Sequence, residues 1–207
     1  MVKSLLSEAE AREVEAAVAR VESQSAAEIV VAVLPQSTDY WQGRVLLSVL
    51  WGLGAGFIFL LFEPWLQPTL ALLVEVLVGV TAFGLGGWAP LQRRLVSAEA
   101  AGHAVQARAF QLFAERGLQA TRGRTALLIF ISELERSVVL LGDRALHTEV
   151  GQRGWDEHVE RLLQHIRAGK ARDGLLEALE RLTPQLAAVA PPTPDDINEL
   201  PDAVLRS

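Results

Sequence analysis

Two apolar runs set six residues apart constrain this chain more than any other feature. The first is Val45 to Phe62 (VLLSVLWGLGAGFIFLLF) and the second is Thr69 to Trp88 (TLALLVEVLVGVTAFGLGGW). At about 1.5 Å per residue, helices of these lengths cross a hydrocarbon core roughly 30 Å thick. The first run carries no charge and no amphipathic stripe, and the second carries only Glu75. A soluble protein could bury such a pair, but two helices apolar on every side predict a transmembrane hairpin over 45–88. The connection Glu63 to Pro68 holds two prolines, which end helices, and no Lys or Arg. Arg44 precedes the first run and Arg93 and Arg94 follow the second. That asymmetry predicts that both ends of the hairpin face the cytoplasm, with these three arginines at the lipid headgroups. Trp41, Trp51, Trp65 and Trp88 fall mostly near the ends of the runs, as an aromatic belt would place them.

An antiparallel hairpin turning near Trp65 pairs residues whose numbers sum to about 131, a count that follows from equal rise on both helices. Gly52 is then level with Gly79, and Gly56 with Glu75. Small residues at these levels permit close helix approach, and Gly52-x-x-x-Gly56 has the usual spacing for it. Neither run offers Glu75 a Lys, Arg or His, so an ionised carboxylate there would be costly. Two placements remain open: a protonated Glu75 turned toward Gly56 or a partner helix, or one reaching for the outer interface.

About 160 of the 207 residues lie outside the hairpin, enough for one ordinary domain. The mean hydropathy of +0.25 comes largely from the two runs, and the chain as a whole is acidic, with a net charge of -6. An acidic chain with no cation cluster is not expected to bind nucleic acid. Zero cysteines exclude disulfides and thiolate metal sites. Met1 to Arg20 reads as a polar amphipathic helix rather than a signal peptide.

Ser7-Glu8-Ala9-Glu10 has the form of a capping box and predicts a helix to Glu22 carrying Val14, Ala17, Val18 and Val21 on one face. Glu28 to Leu34 (EIVVAVL) is continuously apolar and β-branched, which predicts a strand covered on both faces. Only about ten residues then separate Pro35 from the first run. Beyond the hairpin, Ser97 to Arg116 predicts a helix ended by Gly117. Thr125 to Ser132 (TALLIFIS) and Arg136 to Leu141 (RSVVLL) predict an antiparallel strand pair. Trp155, Val159, Leu162, Leu163 and Ile166 mark one amphipathic helix, and Leu175, Leu179, Leu182 and Leu186 another, which Pro184 should kink or shorten. The Pro-rich acidic tail from 191 to 207 predicts an extended segment whose Leu200, Val204 and Leu205 could dock. Residues 1–40 and 91–190 together should form the cytoplasmic domain.

The order EIVVAVL, FAERGLQATRGRTALLIFIS, RSVVLLGDRALHTEV, a helix from Trp155 and ARDGLLEALERL resembles the TPM domain family. The likeness covers about Leu5 to Ala188 outside the hairpin, and Asn198-Glu199-Leu200-Pro201-Asp202 resembles the end of its bacterial members with an inserted hairpin. The resemblance implies a three-layer α/β/α sandwich with a small mixed sheet, attached to the bacterial inner membrane. It also implies two activities described among relatives: acid phosphatase, and divalent-cation binding in repair of membrane complexes. LemA-type membrane proteins are the implied partners. Where many members have Gly-Tyr-Gly after the third strand, this chain has Asp143-Arg144-Ala145.

Two functions follow as expectations. One is a non-catalytic, membrane-anchored scaffold whose domain and tail bind a partner. The alternative is a metal-dependent phosphatase acting on small phosphate esters, with Asp143, Asp39 and Glu28 holding a divalent cation at the membrane-proximal end of the sheet. Asp143 is the leading carboxylate because ligands gather at strand ends in α/β sheets, against the plainer reading of a turn or capping carboxylate. His103, His147, His158 and His165 are scattered, and none pairs at the i, i+4 spacing of a metal site. No phosphate loop, nucleophile elbow or H-E-x-x-H motif occurs.

Overall fold

The computed structural model describes residues 5–62, 68–121, 125–192 and 203–206. The chain forms two compact units, Met1–Ser37 with Gly102–Ser207, and Thr38–Ala101.

The first unit is an α/β/α sandwich. Ser7 caps α1 (Glu8–Glu22): its Oγ accepts the Glu10 N–H at 3.3 Å, and Glu10 Oε2 accepts the Ser7 N–H at 2.8 Å. Two of the donors that a helix start leaves unsatisfied are thereby paired reciprocally. The sheet has the order β3-β2-β1-β4. Strands β1 (Glu28–Leu34) and β2 (Ala126–Ser132) run parallel, with Glu28 beside Ala126 and Leu34 beside Ser132. Strand β3 (Ser137–Gly142) returns antiparallel through the turn 133–136, and β4 (Leu205–Arg206) lies parallel to the other edge of β1. All seven residues of both β1 and β2 are buried, which is why neither sequence alternates.

Strand period two sends alternate side chains to opposite layers. Ile29, Val31, Val33, Leu127, Ile129 and Ile131 join the core under α1, α6 (Arg144–Arg167) and α7 (Ala171–Val189). Val30, Ala32, Leu34, Leu128 and Phe130 face α5 (Ala98–Glu115), which supplies Val105, Ala109 and Leu112. Each such side chain contributes about 1.5–3 kcal/mol of burial, so the two central strands hold the layers together.

Some helix limits differ from the sequence pattern. The helix expected from Trp155 begins at Arg144, because a first stretch, 144–150, is joined to it through Gly151 at φ 67°. Only glycine enters that left-handed conformation without cost. Gly142 admits the Trp155 ring, since a Cβ there would lie 3.0 Å from Cζ2. Helix α7 runs through Pro184 to Val189, six residues past Thr183, where a helix ended by the proline would stop. The NELPD segment at 198–202, the connection 63–67, Arg122 and Arg124 lie outside the described residues.

The second unit is a helical hairpin. Helix α2 (Trp41–Phe62) and helix α3 (Pro68–Gly86) are long and apolar enough to cross a membrane, with 11% and 17% of their most apolar stretches buried. The core helices of a soluble protein are, by contrast, mostly buried. The seam is lined by small residues: Gly52 and Gly56 on α2, Ala71, Gly79, Ala82 and Gly86 on α3. A short helix α4 (Ala89–Leu95), unseen in the sequence pattern, follows with Pro90 in its first turn. Proline fits there because those N–H groups have no intrahelical acceptor.

Candidate functional site

Three groups of polar residues bear on function. The first is the end of the sheet where β1 and β2 begin. Glu28 is 9% exposed and sits beside Ala126, whose carbonyl accepts the Asp143 N–H at 3.0 Å. Glu28 and Asp143 therefore flank one residue, Ala126. Asp143 also precedes α6, and its carbonyl accepts the His147 N–H at 2.9 Å, a position where a carboxylate suits a helix N-terminus. Asp39 follows β1 in the chain, five residues beyond Leu34. Asp39 is exposed and belongs to the second unit. Among the described residues no group of three or more His, Asp or Glu is placed to hold a metal ion.

The second group escaped the sequence reading. At the far end of the sheet, Ser37 Oγ donates to Ser132 Oγ at 2.9 Å, and Ser132 Oγ donates to Glu135 Oε2. Glu135 Oε1 also accepts the Ser37 N–H at 3.0 Å, and Glu133 Oε1 accepts the Leu5 N–H at 2.7 Å. The charged turn between β2 and β3 thus ties down the chain as it enters α1 and leaves β1. Ser132 is fully buried, so this chain of hydroxyls is a latch rather than an exposed nucleophile. Two glutamates at i, i+2 in a tight turn were its signal, without an indication of partners 98 and 128 positions away.

The third group lies in the hairpin. A Cβ on Gly56 would meet Glu75 Oε2 at 3.2 Å and Glu75 Cβ at 3.3 Å, and one on Gly52 would meet the Glu75 carbonyl at 3.0 Å and Gly79 Cα at 3.4 Å. Glu75 is half-buried on the Gly56 side of the seam. At the open end, the Arg44 guanidinium stacks 4.3 Å from the Phe83 ring centroid, and its Nε donates to the Phe83 carbonyl at 3.4 Å. Gly86 and Gly87 make room for it, since their Cβ atoms would stand 3.2 Å from Arg44 Cγ and 3.3 Å from Cζ. Arg93 and Arg94 are exposed in the last turn of α4.

The histidines have structural duties. His158 is 5% exposed between α6 and α7, with Nε2 3.2 Å from Gln185 Oε1. Burial holds its imidazole below the ordinary histidine value; the Gln185 bond and Glu157 oppose this, and Arg181 and Arg161 reinforce it. His165 Nε2 is 2.8 Å from Glu177 Oε2, while Glu157 accepts from Arg161 and Arg181 at 3.1 and 3.2 Å. The contacts with Gln185, Glu177 and Arg181 join the two helices; His103 and His147 are exposed on other stretches.

No family model and no curated protein matches this chain. Among solved structures it is similar to the NMR structure of the BA42 protein from the psychrophilic bacterium Bizionia argentinensis, at a TM-score of 0.62 and 16% identity. The likeness covers 100% of this chain and 99% of that one, and at this identity it concerns the fold.

Proposed function

We propose that this chain is a non-catalytic, membrane-anchored scaffold with a TPM-like α/β domain, held in a bacterial inner membrane by the α2–α3 hairpin. The observation that carries the reading is the hairpin's outer surface. Leu46, Leu50, Trp51, Leu53, Phe57, Ile58, Leu61, Leu72, Leu73, Val76, Leu77 and Val80 are all exposed, while the seam holds the small residues. That inversion suits a hydrocarbon solvent, where helices associate by close backbone packing rather than by hiding apolar side chains from water. Arg44, Arg93 and Arg94 against a connection lacking Lys and Arg favour cytoplasmic termini, with the arginines at anionic headgroups.

The test is fractionation of cells expressing the full chain, with alkaline carbonate extraction and reporter fusions at Ser207 and within 63–68. Retention in the carbonate pellet with a cytoplasmic Ser207 is the expected result; release into the supernatant overturns the anchor, and a periplasmic Ser207 overturns the orientation. The partner is a second membrane protein, with a LemA-type protein the class implied by the resemblance. Affinity capture of the full chain from solubilised membranes tests this, and a washed eluate containing no stoichiometric partner counts against the scaffold.

One observation favours the alternative, a metal-dependent phosphatase: Glu28 and Asp143 flank Ala126 at one end of the sheet. Metal-stimulated release of phosphate from small esters, abolished by Asp143→Ala, would establish it. Equal background release from parent and variant would dismiss it.

A further inference from the structure

The outer edge of β1 is closed by the chain's own C-terminus, and the closure is small. Among the described residues, β4 covers only Ala32, beside Leu205, and Val33, beside Arg206. Its side chains clasp the sheet from both faces: Val204 is buried in the core that holds Ile29, Val31 and Val33, and Leu205 packs on the core that holds Val30, Ala32 and Leu34. Two carboxylates of α1 line the same edge. Glu15 Oε1 accepts the Val204 N–H at 3.0 Å, and Glu22 Oε1 accepts the Ile29 N–H at 2.9 Å. The Glu28 N–H goes to Thr125 beside β2, so by alternation the peptide groups of Ile29, Val31 and Val33 face outward. A side chain thus satisfies at Ile29 a donor of the kind that a longer strand would take.

We propose that this edge is an exchangeable strand-docking site. The tripeptide Val204–Arg206 holds it at rest, and an extended segment of a partner protein with the pattern branched apolar, apolar, basic replaces it. The pattern follows from the resident: Val204 buried in one core, Leu205 packed on the other, and an exposed Arg206 opposite Val33. A partner strand of five or six residues reaches back past Ala32 to Ile29, displaces the Glu22 carboxylate and makes more main-chain bonds than a two-residue strand can. Strand addition of this kind draws affinity from the ladder and specificity from alternate side chains. The proposal concerns the first unit alone and does not rest on the membrane reading, so fractionation and the experiment below fail separately.

The experiment uses the full chain in mild detergent and a fluorescent peptide, Ala-Val-Leu-Arg-Ser, copied from residues 203–207, with a scrambled control. The chain has no cysteine, so Ala32→Cys with Leu205→Cys, neighbours on one face of the sheet, can lock the resident strand by oxidation. Val204→Asp opens it. The opened variant is expected to bind the peptide at least tenfold tighter than the parent, whose tethered tail competes at an effective concentration of order millimolar. The oxidised double-cysteine protein is expected to bind at least tenfold weaker than Val204→Asp. The proposal is overturned if Val204→Asp, with its strand amides still protected from exchange, treats peptide and scrambled control alike. It is equally overturned if Val204→Asp loses the sheet, which would make the tail a fixed part of the fold, or if it dimerises through its bared edge without taking up peptide.

Discussion

The sheet of the first unit and the hairpin of the second use the same residue types in opposite senses. In β1 and β2 every Val, Ile, Leu and Phe is buried between two helical layers. In α2 and α3 such residues point outward and glycine and alanine occupy the contact. Burial of apolar residues is thus a relation between a segment and its solvent, not a property of the segment. Water drives Phe130 inside; in the proposed bilayer a lipid tail as apolar as Leu77 would exert no such drive, and tight packing would decide what goes within.

Four substitutions press on this contrast. The largest effect should come from Leu53→Lys with Leu77→Lys on the hairpin's outer face. Each costs about 2.5–3.5 kcal/mol at the middle of a span, so most of the protein should leave the carbonate-resistant membrane fraction, whereas unchanged retention would mean that these faces do not meet lipid. Phe130→Ala in the sheet should cost about 3–5 kcal/mol in urea unfolding, read from amide exchange of β2, and leave membrane retention as it was. Gly52→Val should cost about 1–3 kcal/mol in the hairpin, since its Cβ would meet the Glu75 carbonyl at 3.0 Å and a backbone cannot swing aside. Cross-linking between cysteines placed on α2 and α3 would report the separation, and unaltered cross-linking would show that the seam is looser than its glycines suggest.

The smallest effect is a matter of pH. Because His158 is held below the ordinary histidine value, the unfolded chain takes up a proton that the folded chain refuses once pH falls below that ordinary value. Stability should therefore decline as pH drops from the ordinary value to the lowered one and level off beneath it. His158→Leu should flatten that segment of the stability profile for the first unit; an equal slope in both proteins would place the pH dependence elsewhere.

Local signals were easy to read in this chain and distant ones were not. Ser7 and Glu10 announce α1 within four residues, and the unbroken apolar strings at Glu28 and Ala126 announce covered strands, because each depends on neighbours in sequence. The 144–150 stretch of α6 has only Leu146 and Val150 for an apolar face, too few to reveal a helix, and Gly151 at φ 67° hides its continuation. Glu28 and Asp143 could be named as candidates, but only the pairing of the strands shows that they flank Ala126. The two-residue β4 has no periodicity to detect; its meaning lies in Ala32 and Val33, more than 170 positions earlier.

The insertion of the hairpin between β1 and β2 has a cost in time. These strands are hydrogen-bonded neighbours, yet about 90 residues separate the end of one from the start of the other, so β1 leaves the ribosome some 5–18 s before its partner at ordinary synthesis speeds. Throughout that wait, seven residues that will be wholly buried stand bare, a string with the composition that nucleates aggregates. Glu28 at its first position and Pro35 just beyond its last are the residue types that resist such association. They guard a newborn chain whose first strand must wait for its second.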